Sequence, residues 1–281
     1  MDSEVSPEQA RQVLDMLTAG GSMDHLNTSL ALRLIPLAQE LEEDDLVEGL
    51  LDHARNVATN EEERGWAKFE ALKLVGASND SFLRLAEEAE AIEGAQALAA
   101  AVHHYVALVQ LAQGQMDEAR AMAQRALRLR QVANDQEGMV YGMALLMNIA
   151  KRQHDDDTAI AIGTERLELL TSMKDEVGQM EAIADLAHSQ ATIGEFGAAH
   201  DLYSQSLERA QQLGSLSGQL VSRWGLADIA EIQQDYETAM VVLSDALHEF
   251  MAQSVTAPAV LRQRIQDLTQ LKNEPPAEGG D

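Results

Sequence analysis

The sequence predicts an all-α fold, an α-solenoid of stacked helix-turn-helix units, and three observations predict it. Alanines recur at 119, 159, 199 and 239 and leucines at 127, 167, 207 and 247, with glycines at 138, 178 and 218 on the same spacing. Fixed-period self-similarity marks an array of supersecondary units, each burying its core against its neighbours. The chain of 281 residues is rich in alanine, leucine, glutamine and glutamate, with only five prolines. These residues are strong helix formers. No run of alternating β-branched residues bounded by turn signals suggests a strand.

The elements follow in order. Ser6-Pro7-Glu8 starts a short helix, with serine as cap and proline at the first helical position. Leu26 to Leu41 and Asp45 to Val57 pair as a hairpin whose first helix is kinked or broken at Pro36. Residues 1–60 thus form a helical region of degenerate repeats or a cap. Residues 61–92 form a degenerate hairpin, Glu61 to Val75 and Ser81 to Ile92, with Trp66, Phe69, Leu72, Leu74 and Val75 supplying its core face.

Four units fill 93–252. The first, Glu93 to Asp135, turns at Gly114-Gln115-Met116; the second opens at Gly138, turns at His154-Asp155-Asp156 and ends near Lys174. The third opens at Gly178 and turns at Gly194-Glu195-Phe196; the fourth opens at Gly218, turns at Gln234-Asp235-Tyr236 and ends near Met251. The tract Asn134 to Gly138 reads as four residues longer than strict phasing needs. Ala257-Pro258 begins a capping helix over 257–272, with Arg262, Gln263, Arg264, Gln266 and Asp267 facing solvent. Asn273 to Asp281, with two prolines and two glycines, is expected to be a disordered tail.

Each half-unit carries apolar residues at three- and four-residue spacing, as Phe196, Ala199, Leu202, Tyr203, Leu207 and Ala210 illustrate. The recurring alanines mark close helix crossings, where a larger side chain typically costs about 1–3 kcal/mol.

This pattern resembles the tetratricopeptide repeat in its 40-residue, long-helix variety, as in MalT-type regulators and spindle-orientation adaptors. The family's packing leucine corresponds to Leu146, Leu186 and Leu226, followed by Met147, Ala187 and Ala227. Its turn glycine matches Gly114 and Gly194 and is replaced by His154 and Gln234; the aromatic after the turn is Phe196 and Tyr236, replaced by Met116 and Asp156. The resemblance implies a right-handed superhelix with a concave face built from one side of every first helix. It also implies a partner-binding groove of Tyr141, Asn148, Lys151 and Arg152, then Glu181, Asp185 and His188, then Val221, Trp224, Asp228 and Glu231. Asn148, His188 and Asp228 share one phase and form a polar row, with Trp224 or Tyr141 as apolar anchor. Ala144 stands where the family's carboxylate clamp carries lysine, which argues against a chaperone's C-terminal tail as ligand.

Composition excludes several classes of function. The formal net charge of −27, from 47 acids and 20 bases, repels phosphate backbones and anionic lipid, so no nucleic acid is expected. Acidity of this size suits the steering of a basic partner, and equally solubility or adaptation to salt. The absence of cysteine removes disulfides, thiolate catalysis and zinc-thiolate sites. The acidic start MDSEVSPEQAR is unlike a secretory signal, and no apolar run approaches the roughly 20 residues that span a bilayer. A cytoplasmic protein without membrane insertion is the expectation.

No catalytic constellation emerges. His103 and His104 point about 100° apart on a helix and cannot ligate one metal as a pair. The acids of His154-Asp155-Asp156-Asp157, like Glu42-Glu43-Asp44-Asp45 and Glu61-Glu62-Glu63, sit where they stabilise helix N-termini. No metal site, cofactor or enzyme activity is expected. The reading is a non-catalytic adaptor, scaffold or peptide-binding chaperone that docks a protein or peptide, basic in character, in an acidic concave groove. Salt should weaken such docking, as should joint charge reversal at Asp228 and Glu231. The alternatives are a self-assembling, homo-oligomeric scaffold and a regulatory phosphatase-like repeat protein.

Overall fold

A computed structural model describes residues 7–273. Among them the chain is all-α, with fourteen helices: α1 (Pro7–Thr18), α2 (Thr28–Glu40), α3 (Asp44–Val57), α4 (Glu61–Leu74), α5 (Asn79–Glu90), α6 (Gln96–Ala112), α7 (Met116–Ala133), α8 (Gln136–Arg152), α9 (Asp156–Met173), α10 (Glu176–Thr192), α11 (Phe196–Gln212), α12 (Leu216–Ile232), α13 (Tyr236–Ala252) and α14 (Ala259–Asn273). Ser6, read as the cap of α1, and residues 274–281 of the expected tail lie outside the described residues.

The chain divides into two compact units, Met1–Gly142 and Met143–Asp281. In each, helices pack against their neighbours in sequence, and alternate helices also touch: α2 with α4 and α4 with α6 in the first unit, α10 with α12 in the second. Stacking of alternate helices is the arrangement expected of tetratricopeptide-like hairpins.

A finer period underlies the 40-residue one. Left-handed backbone occurs at Gly114, Asn134, His154, Lys174, Gly194, Gly214, Gln234 and Ser254, so turns within and between hairpins alternate every twenty residues. The tract from Asn134 to Gly138 is therefore in register with Lys174 to Gly178 and Gly214 to Gly218, a correction to the apparent insertion. The glycines at 138, 178 and 218 do not open their helices either. Asp135, Asp175 and Ser215 lie three residues earlier, and each accepts a hydrogen bond from the corresponding glycine N–H. A Cβ at 178 would overlap Asp175 and Leu170, and one at 218 would displace the end of the Met180 side chain.

The small-residue phase packs as expected, with Ala119, Ala159, Ala199 and Ala239 fully buried. In the first unit, Phe69, Phe82 and Tyr105 form an aromatic cluster, with ring centroids 4.8 to 6.0 Å apart. Three expectations are corrected. α2 continues through Pro36, so of the kink or break expected there the break does not occur. Val75 ends up 75% exposed rather than on the core face of α4. Arg264 does not simply face solvent, because its guanidinium is engaged by α12.

Candidate functional site

The first-helix faces of the second unit hold most of the expected groove. Glu181 on α10 and Val221 on α12, 40 residues apart, are both exposed, Val221 by 54%. Trp224, one turn beyond Val221, is half-buried and packs its inner side on the cluster formed by Leu243, Phe250 and Leu261. Asn148 and His188 are exposed, and Asp228, in the same phase, is half-buried. Arg152 is exposed at the end of α8. Tyr141 belongs to the first unit and is 67% exposed.

The groove acids are largely neutralised from within the chain. Arg166 on α9, itself buried, donates to the Asp185 carboxylate at 2.9 Å. Lys151 donates to the Asp185 backbone carbonyl at 3.3 Å, with its ammonium 3.9 Å from the carboxylate. Arg264 on α14 donates to Asp228 at 3.3 Å and to Glu231. Of the four expected acids, Glu181 is left as the exposed one.

Burial sets the proton affinities here. It holds the Lys151 ammonium below its ordinary value against the pull of Asp185. The His188 imidazole is lowered by burial and then by Lys151. Asp228 is raised by burial, with Arg264 opposing. The Tyr203 phenol, buried behind α12, is pushed up to about 12, with Asp228 adding to the burial cost. Of the shifted groups, Lys151 and Asp228 are each tied to a charged partner, Asp185 and Arg264 respectively.

Sequence reasoning missed Arg166, and a signal for it was present. Its phase is otherwise Ala126, Ser206 and Ala246, so a buried arginine interrupts a column of small residues. It also missed a polar node in the first unit. Buried His103 on α6 pairs with Glu90 at 2.8 Å, and Arg125 donates to both Glu90 oxygens, at 2.9 and 2.6 Å. His103 is therefore a structural partner whose proton affinity burial lowers, with Glu90 opposing. The acidic cluster at 154–157 is likewise local, since Asp155 caps α9 by accepting from the Thr158 N–H. Among the described residues no three His, Asp or Glu side chains converge as a metal site, and no helix is long and apolar enough to cross a membrane.

Solved structures similar to this chain share its fold. The apo form of RapI superposes with a TM-score of 0.69 at 14% identity, over 95% of this chain and 76% of its own. A signal-transduction ATPase with a tetratricopeptide repeat sensor, from Pyrococcus horikoshii, gives 0.65 at 14% identity over 95% of this chain; the chain spans 40% of that protein. Aspartyl phosphate phosphatase F from Bacillus subtilis gives 0.56 at 13% identity, over all of this chain and 81% of its own. No protein-family model and no curated protein sequence matches. The chain is thus a tetratricopeptide-like helical repeat protein in fold.

Proposed function

We propose that this chain is a non-catalytic protein–protein interaction module, an adaptor, scaffold or peptide-binding chaperone. It docks a partner segment on the first-helix faces of the second unit. The observation that carries this reading is the pairing of Val221, 54% exposed, with half-buried Trp224 one turn away on α12. An exposed apolar residue beside an aromatic one, with His188 exposed on the neighbouring first helix α10, offers an anchor and a hydrogen-bonding group to a peptide.

Because Asp185, Asp228 and Glu231 already hold arginines, electrostatic selection of a basic partner falls to Glu181 and the overall acidity. The expected loss of binding on reversing Asp228 and Glu231 is accordingly reassigned, since those changes also repel Arg264. The better test substitutes Val221→Asp and, as a control, Val241→Asp, which is equally exposed at 55% but lies on the second helix α13. The partner that copurifies from the native host should be lost with the first variant and retained with the second. Equal retention, with helicity unchanged, contradicts the docking face.

Phosphatase-like regulation draws support from the fold shared with aspartyl phosphate phosphatase F. Turnover of a phosphorylated response regulator by the purified chain would favour it over binding alone. Self-assembly would instead appear as light scattering that rises with concentration.

A further inference from the structure

A cavity of about 650 Å³ opens between α2 and α4 in the first unit. Its volume lies within the range of small-ligand pockets. The α2 wall carries Leu32, Arg33 and Pro36, and the α4 wall carries Glu62, Trp66 and Glu70, spaced four residues apart so that one helix face lines the opening.

Three of the ten lining residues, Glu62, Glu63 and Glu70, are carboxylates. Pro36 has no N–H, so the Leu32 carbonyl one turn earlier lacks the donor that an uninterrupted helix supplies. That break in the ladder falls on two cavity-lining residues. Glu63, at the rim, accepts from the Thr59 N–H at 2.6 Å and so keeps its carboxylate ionised, held below the ordinary range by that bond. Glu70 is bridged by Lys73 at 2.8 Å. Glu62 faces the cavity as a further carboxylate, and half-buried Trp66 presents an aromatic surface. Arg33 is the cation of the lining and is exposed, so water screens its charge.

We propose that this cavity binds the side chain of an arginine presented by a partner peptide. The guanidinium stacks on Trp66 and donates to Glu62 and to the Leu32 carbonyl, while its methylene stem lies against Leu32 and Pro36. A guanidinium fits because it is planar, carries five donors and no acceptor, and stacks on aromatic faces. The site is separate from the docking face of the second unit and stands or falls without it.

The test uses the intact chain labelled with nitrogen-15, whose two indole N–H signals, from Trp66 and Trp224, are assigned with Trp224→Phe. The probe is the capped tripeptide acetyl-Ala-Arg-Ala-amide, compared with its citrulline counterpart, which has the same shape without the charge. The arginine peptide is expected to shift the Trp66 signal saturably and leave Trp224 in place, and citrulline to bind about tenfold more weakly. Glu62→Gln should weaken the arginine peptide several-fold. Pro36→Ala restores the N–H to the helix, so it should raise the melting temperature and weaken the peptide together. Equal binding of the two peptides, no shift at millimolar peptide, or tighter binding of acetyl-Ala-Asp-Ala-amide through Arg33 overturns the proposal. So does a Pro36→Ala chain that melts higher and binds as before.

Discussion

Arg264 of the last helix donates to Asp228 and Glu231 of α12, so two carboxylates that look like ligand contacts in the sequence hold the end of the array closed. The Arg264 side chain is about three-quarters buried, with 27% exposed. Arg264→Ala should therefore loosen α14 and cost on the order of 1–2 kcal/mol, more than an exposed ion pair contributes. Hydrogen exchange should quicken across 259–273 before it does in α10. Unchanged protection of α14 would show that Leu261 and Leu268 hold it without the ion pair.

Turn residues offer an opposite sign. His154 and Gln234 adopt φ of 57° and 63°, where the parallel turns use Gly114 and Gly194. A left-handed L-residue costs about 1–2 kcal/mol, which the greater freedom of glycine in the unfolded chain partly cancels. His154→Gly and Gln234→Gly should each raise stability by about 0.5–1 kcal/mol in urea unfolding, and Gly194→Ala should lower it.

Gly225 reverses the usual helix rule. In mid-helix, Gly→Ala ordinarily stabilises by about 1 kcal/mol. A Cβ at 225, however, would overlap the ring of buried Tyr203. Gly225→Ala should destabilise by about 1–3 kcal/mol through overpacking. Gly225→Ala combined with Tyr203→Leu should recover part of the loss, and a stabilised single variant would contradict this packing.

His104 makes stability depend on pH. Its Nδ1 is buried without a partner, and burial depresses the imidazole from 6.5 to about 4. The folded chain then binds this proton less readily than the unfolded chain, so stability present above pH 6.5 is lost as pH falls towards 4. His103 and His188 are shifted in the same direction. Unfolding at pH 5 should be easier than at pH 7 by on the order of 1–2 kcal/mol from His104. His104→Leu should flatten that slope.

The architecture was legible because packing imposed it on every unit. The alanine column at 119, 159, 199 and 239 can hold nothing larger where helices cross, so it stands out of the sequence. The turns were legible only in part. Left-handed backbone at Lys174 and Ser254 leaves no glycine behind, and the twenty-residue period was hidden by such substitutions. At the candidate site, exposure of Glu181 and Val221 followed from phase, whereas the ties from Arg166 and Arg264 did not. Arg166 departs from the small-residue column of Ala126, Ser206 and Ala246, and Arg264 lies on the last helix, so neither tie could be read from residues repeated in phase. The cavity beside Trp66 was illegible for a related reason, because α2 and α4 meet through a proline and an aromatic that no other hairpin shares.

The docking face is tested most directly by placing a photo-crosslinking residue at Val221 and, separately, at Val241, then irradiating the native host's extract. The account predicts a discrete adduct of one dominant mass from position 221, suppressed by excess unlabelled chain, and none from position 241. Adducts of equal yield from both positions, or from 241 alone, would contradict it.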